Sequence, residues 1–106
     1  MTDYFVRRTR IYDDDGRTIE TMTRIGGEAI KVRGLPAAYA SLGLTEANAP
    51  TLLFTPDDQL TDDEFVRPGD EIQWSGATFV VRDVNTVNPD GEGVVVARII
   101  VVRGPR

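Results

Sequence analysis

Residues Arg67–Val84 read RPGDEIQWSGATFVVRDV, and the pairing they imply decides the fold. Pro68-Gly69-Asp70 is turn chemistry: proline presets φ, glycine supplies positive φ, and aspartate tolerates turn conformations. Glu71-Ile72-Gln73-Trp74 then reads as one strand and Ala77–Val84 as the next, closed by the two-residue turn Ser75-Gly76. That turn sets Trp74 opposite Ala77, Gln73 opposite Thr78, Ile72 opposite Phe79 and Glu71 opposite Val80. Ile72, Trp74, Ala77, Phe79 and Val81 fall on one face; Glu71, Gln73, Thr78 and Arg82 fall on the other, with Val80 the apolar exception. A slip of one residue would invert both faces, so the register is pinned. Trp74 and Phe79 are expected inside. The hairpin, marked by Gly69, Asp70, Trp74, Gly76 and Phe79, is therefore read as scaffold and not as a binding site. The strand pattern stops at Val84, and Asn88-Pro89-Asp90-Gly91 is a turn.

Upstream of the hairpin, Thr51–Thr55 (TLLFT) reads as a buried strand, followed by an acidic loop over 56–67 that carries Asp57, Asp58, Asp62, Asp63 and Glu64. Several carboxylates suit a hard cation, but the spacing lacks the glycine and terminal glutamate of a calcium loop. Thr61 before Asp62-Asp63-Glu64 looks more like a capping box opening a short helical turn. Solvated or interface acid is the preferred reading, here and at Asp13-Asp14-Asp15. Downstream, Gly93–Arg103 forms a last strand that is apolar on both faces, with Arg98 the interruption before its end. A half-wet strand should alternate, so its outer face needs a cover: the short helix or another subunit.

The chain opens as a β-meander. Tyr4–Tyr12 alternates as a strand, Asp13-Asp14-Asp15-Gly16 turns it, and Thr18–Ile25 returns. Gly26-Gly27 reads as a turn or bulge before a third short strand over Glu28–Arg33. The cluster Arg7, Arg8 and Arg10 suggests nucleic acid, but no second basic stripe makes a groove. A solvated face, or salt bridges to Asp3, Asp13 and Glu20, is preferred. Over 34–50 the period changes: Pro36 suits a first helical turn, Gly43 a stop, and Leu35, Tyr39 and Leu42 share one face. A helix so short must dock on the sheet.

The totals narrow the function. The 106 residues hold neither cysteine nor histidine, which removes disulfides, thiolate zinc sites and imidazole catalysis. No carboxylate pair sits on a catalytic frame, so no enzyme activity, catalytic or metal residue, or cofactor is expected. No apolar run approaches the roughly 18–20 residues of a membrane span, and no membrane partner is expected. A net charge of −5 argues against a protein whose main task is neutralising phosphates. Every basic residue but Lys31 is arginine, which suits planar pairing at interfaces; a GC-rich genome would raise arginine equally. The expectation is one mostly-β domain over 1–106, a small barrel or sandwich of about six to seven antiparallel strands with one short helical insertion and a frayed tail at 104–106.

From Thr51 onward, TLLFTPDD, the acidic spacer, RPGDEIQWSGATFVVRDV, a Gly/Asp turn and a final apolar strand together resemble the head-closure, or stopper, proteins of long-tailed bacteriophages, including the lambda-type head–tail joining family. Gly69, Asp70, Gly76, Phe79 and Val84 occupy the positions that carry this likeness, which covers about the last half of the chain. It implies a structural virion protein assembled in the bacterial host cytoplasm. Copies of it would form a ring, a hexamer or dodecamer, joining the portal or adaptor protein of the head to the tail terminator or tail tube and retaining packaged DNA. On that reading Asp57, Asp58, Asp62, Asp63 and Glu64 face the channel or a neighbouring ring. Leu35, Tyr39, Leu42, Val94, Val96, Arg98 and Ile100 make subunit contacts. The alternative is a monomeric SH3-like or OB-like binding module.

Overall fold

The computed structural model describes residues 3–61, 63–87 and 93–104. Among them, six strands and one helix run in the order β1 (Asp3–Tyr12), β2 (Thr18–Val32), α1 (Pro36–Leu42), β3 (Thr51–Pro56), β4 (Glu71–Trp74), β5 (Ala77–Val87) and β6 (Val96–Arg103). Every neighbouring pair is antiparallel. The sheet closes on itself as β1-β2-β3-β6-β5-β4, with β4 returning to β1 through Phe5–Ile72 and Val6–Glu71. The chain is thus a small β-barrel with one short helix, the first of the two architectures, barrel or sandwich, that the sequence leaves open.

The β4–β5 hairpin has the predicted register at every pair, from Glu71–Val80 to Trp74–Ala77. Ser75 (φ 51°) and Gly76 (φ 78°) both take positive φ, the twist that matches two right-handed strands. Two expectations need correction. Ile72 and Val81 are the residues fully inside; Trp74 and Phe79 are half-buried and pack edge to face, 6.1 Å apart, at the margin of the core. The strand also runs past Val84 to Val87, because a bulge between Val81 and Asp83 shifts its phase and lets it keep pairing with β6.

β2 is one strand of 15 residues, not two, so the predicted meander is a hairpin followed by a change of partner. Its first part pairs with β1, and Gly27–Val32 pairs with β3. Gly26 and Gly27 take no positive φ. Gly27 is there for proximity: a Cβ would lie 2.3 Å from the Thr55 carbonyl oxygen and 2.7 Å from the Phe54 ring. That ring meets Phe5 edge-on at 4.9 Å and Phe65 at 5.9 Å. Around this aromatic row pack Ile25, Leu52, Ile72, Val81, Val94, Ala97, Ile99 and Val101. Each large side chain fully buried there contributes about 1.5–3 kcal/mol.

The two-faced strand β6 finds its cover within the chain. Ala97, Ile99 and Val101 point into the barrel, while Ile100 points outward and is buried against Tyr39 and Ala49. α1 is positioned by Pro36 in its first turn and stopped by Gly43 at φ 67°. The Tyr39 hydroxyl and Thr51 Oγ1, both buried, hydrogen-bond at 2.6 Å. A Cβ at Gly34 would meet the Tyr39 ring at 2.1 Å, so glycine lets the helix close down.

The barrel does not hold the whole of its first hairpin. β4 touches β1 only at Phe5 and Val6, and β3 joins β2 only from Gly27 onward. Arg7–Tyr12 and Thr18–Thr23 therefore project as a two-stranded ribbon. The radius of gyration, 14.7 Å, exceeds the ~13 Å of a compact chain this long, as a projecting arm requires.

Candidate assembly surfaces

The acidic loop is held from beneath by apolar residues. Phe65 and Val66 are buried in the core, Leu60 packs against it, and Leu60 and Val94 form a bridge in which the Val94 N–H donates to the Leu60 carbonyl at 2.7 Å. Asp57, Asp58, Asp63 and Glu64 are left exposed; Asp62 lies outside the described residues. Only the reach-back half of the predicted capping box is present. The Thr61 N–H and hydroxyl both donate to Glu64 Oε1, at 3.1 and 2.9 Å. Those bonds, the backbone one first, lower the Glu64 pKa from its ordinary value. The box closes a turn in which the Glu64 N–H donates to the Thr61 carbonyl at 3.0 Å. Among the described residues no cluster of carboxylates is arranged to hold a metal ion.

Asp70 is a structural anchor as well as a turn residue. It is 3% exposed and takes a two-pronged ion pair from Arg7, Nε to Oδ1 at 3.2 Å and Nη2 to Oδ2 at 3.1 Å. Arg7 also donates to the Phe65 carbonyl at 2.6 Å, and the Arg67 N–H donates to Asp70 Oδ2 at 2.9 Å. One carboxylate thereby ties the foot of the ribbon, the end of the acidic loop and the start of β4 together. The expected pairing of the arginine cluster holds for Glu20 but not for Asp3 or Asp13, and Arg7 is taken by Asp70 instead. Arg8 meets Glu71 and Glu20, and Arg10 meets Glu20. Asp3 accepts instead from the Ala29 N–H, and Asp13 from the Arg17 and Asp15 N–H groups.

Of the expected subunit contacts, Val94 is inside the barrel, and Tyr39 and Ile100 are buried against each other. Their side chains are spent within the chain and are not free for a neighbour. Leu42 is half-buried in the same cluster, and Val96 is half-buried; Leu35 and Arg98 stay exposed. Of the hairpin positions, Gly69 and Asp70 enter β4, Gly76 closes the turn at its far end, and Trp74 and Phe79 lie in β4 and β5.

The ribbon is the surface that sequence reasoning missed. Its exposed apolar residues include Ile11, Tyr12, Ile19 and Met22, and at its foot Tyr4 lies under the Arg24 guanidinium at 5.1 Å. A signal was present: over Arg7–Arg10 both strand faces are polar or charged, and over Glu20–Arg24 Met22 is the one apolar residue, so neither face has the run of apolar residues a core needs.

No family model matches the chain, and no curated protein matches it. Among solved structures, a chain from the virion of a native gene transfer agent particle is similar over 100% of this chain and 96% of that one, at 13% identity and a TM-score of 0.48. A likeness that distant carries no functional argument.

Proposed function

We propose that this chain is a structural protein of the neck of a phage-like particle. It assembles as a ring between the portal or adaptor of the head and the tail terminator or tail tube, and it helps to retain packaged DNA. The observation that carries this reading is the placement of exposed charge on a barrel whose interior is filled. Acid projects on a loop pinned by Phe65 and Val66, and arginine projects on a ribbon pinned by Asp70. A filled barrel with two anchored projections, one acidic and one of mixed charge, suits contacts between large partners. The sequence likeness from Thr51 onward to head-closure proteins supports the same assignment. An acidic loop turned to the channel would keep DNA from sticking as it slides, since like charges repel.

A second reading has one observation in its favour. Tyr4 stacked with Arg24, and Tyr12 near Arg10, alternate aromatics with arginines on one ribbon face, a pattern found in single-strand binding modules. Native mass spectrometry with electron microscopy, alone and with a portal–adaptor complex, separates the two. Closed rings, or a layer added to the complex, support the neck role. A chain that stays monomeric, ignores such complexes and binds an oligonucleotide refutes it.

A further inference from the structure

Among the described residues both long edges of the ribbon lack a strand partner, since β1 meets β4 only at Phe5 and Val6 and β2 meets β3 only from Gly27. Unpaired N–H and C=O groups along such an edge template pairing with another strand. The Asp13 N–H donates to the Arg17 carbonyl at 2.9 Å. Antiparallel bonding alternates from there, so Arg8, Arg10 and Tyr12 on β1, and Thr18, Glu20 and Met22 on β2, turn their backbone groups outward.

The two edges differ in charge. From Arg8 to Tyr12 the β1 edge carries two exposed arginines and no acid, Arg7 being taken by Asp70; from Thr18 to Thr23 the β2 edge carries Glu20 and no base. Within one chain Arg8 and Arg10 share Glu20, each at 3.8 Å, and the Arg10 side chain stays 75% exposed. The Ile11–Ile19 pair on one face, and Tyr12 and Met22 on the other, are apolar area that an added strand would cover.

We infer that the β1 edge of one copy pairs antiparallel with the β2 edge of the next, Arg10 opposite Glu20, joining the ribbons into one continuous sheet. This rests on the ring reading above and names the contact that builds the ring. Charge selects this pairing over its rivals. Two β1 edges would set arginine against arginine, and two β2 edges would set Glu20 against Glu20, both repulsive. The remaining contact is head-to-tail, which builds a ring when the rotation between copies closes and an open filament when it does not.

The chain has no cysteine, so introduced ones report cleanly. T9C and T21C leave every ribbon charge in place, and Thr9 and Thr21 would face each other across the new contact. The two variants, mixed under mild oxidation, are expected to give the mixed disulfide in large excess over either homodimer. R10E and E20R should each lose self-association, with circular dichroism unchanged, and recover it when mixed with one another. Homodimers in excess, or wild-type rings with no mixed disulfide, overturn the edge pairing while leaving the ring intact. A wild-type chain that neither assembles nor cross-links overturns both. Oligonucleotide protection of T9C from labelling, without any disulfide between copies, assigns the ribbon to nucleic acid instead.

Discussion

Replacing Asp70 with alanine removes the carboxylate that ties three segments together, and the size of the loss follows from its surroundings. The Asp70 side chain is 4% exposed and that of Arg7 18%. Breaking a buried pair by deleting one partner costs about 3–5 kcal/mol, mostly because the other charge stays buried and unpaired. Arg7 keeps its bond to the Phe65 carbonyl and some contact with water, which places D70A near the lower end, about 3 kcal/mol. Against a total stability of roughly 5–15 kcal/mol this is a large share. At about 4–8 °C per kcal/mol for a domain near this size, Tm should fall by roughly 12–24 °C. Trp74 is the lone tryptophan and sits half-buried in β4, four residues after Asp70, so its fluorescence follows urea unfolding directly. R7A and the R7A/D70A double variant complete a cycle in which the pair should couple by about 2 kcal/mol or more. A D70A loss below about 1 kcal/mol, or strictly additive single variants, would refute the claim that this pair anchors the ribbon.

Two further outcomes are expected. G27A should cost about 2–3 kcal/mol in urea unfolding, because its Cβ meets a backbone oxygen that cannot swing away; an unchanged midpoint would mean that β2 and β3 do not approach so closely. For Glu64 the folded pKa is lowered, so its stabilisation of the Thr61 turn is present above the unfolded value and lost as pH falls through the folded one. The Thr61 amide shift should therefore titrate with a midpoint below that of an ordinary glutamate, and E64Q should abolish the step. A midpoint at or above the ordinary value would contradict the turn.

The legible parts of the molecule are those governed by neighbours in sequence. The β4–β5 register follows from a two-residue turn and a period of two, because a slip would expose Ile72 and bury Glu71. Pro36 and Gly43 bracket a helix for local reasons of φ and hydrogen bonding. Other readings failed where one local pattern serves two purposes. Gly26-Gly27 looks like a turn in sequence, yet Gly27 is present because the Phe54 ring leaves no room for a side chain. The apolar outer face of β6 asked for a cover without naming one; α1 supplies it by seating Tyr39 on Ile100. Val94 looked like a surface contact because it is in phase with Val96, Arg98 and Ile100 on the outer face of the last strand, but its bridge to Leu60 turns it into the core.

Asp57, Asp58, Asp63 and Glu64 were legible as exposed residues, since nothing in the sequence offered them partners. The sequence could not distinguish Asp70 from those acids. Its role depends on Arg7, 63 positions away, and only closure of the barrel through β1 and β4 brings the two together. Turn chemistry and hydrophobic period act over a few residues, so secondary structure, register and the absence of cysteine and histidine chemistry were readable in one dimension. Which hairpin closes the barrel and which one projects beyond it is a contest between distant segments for the same hydrogen-bonding edge. β4 is four residues long and reaches only Phe5 and Val6 of β1, so the rest of that hairpin is left outside the barrel, with both edges open among the described residues.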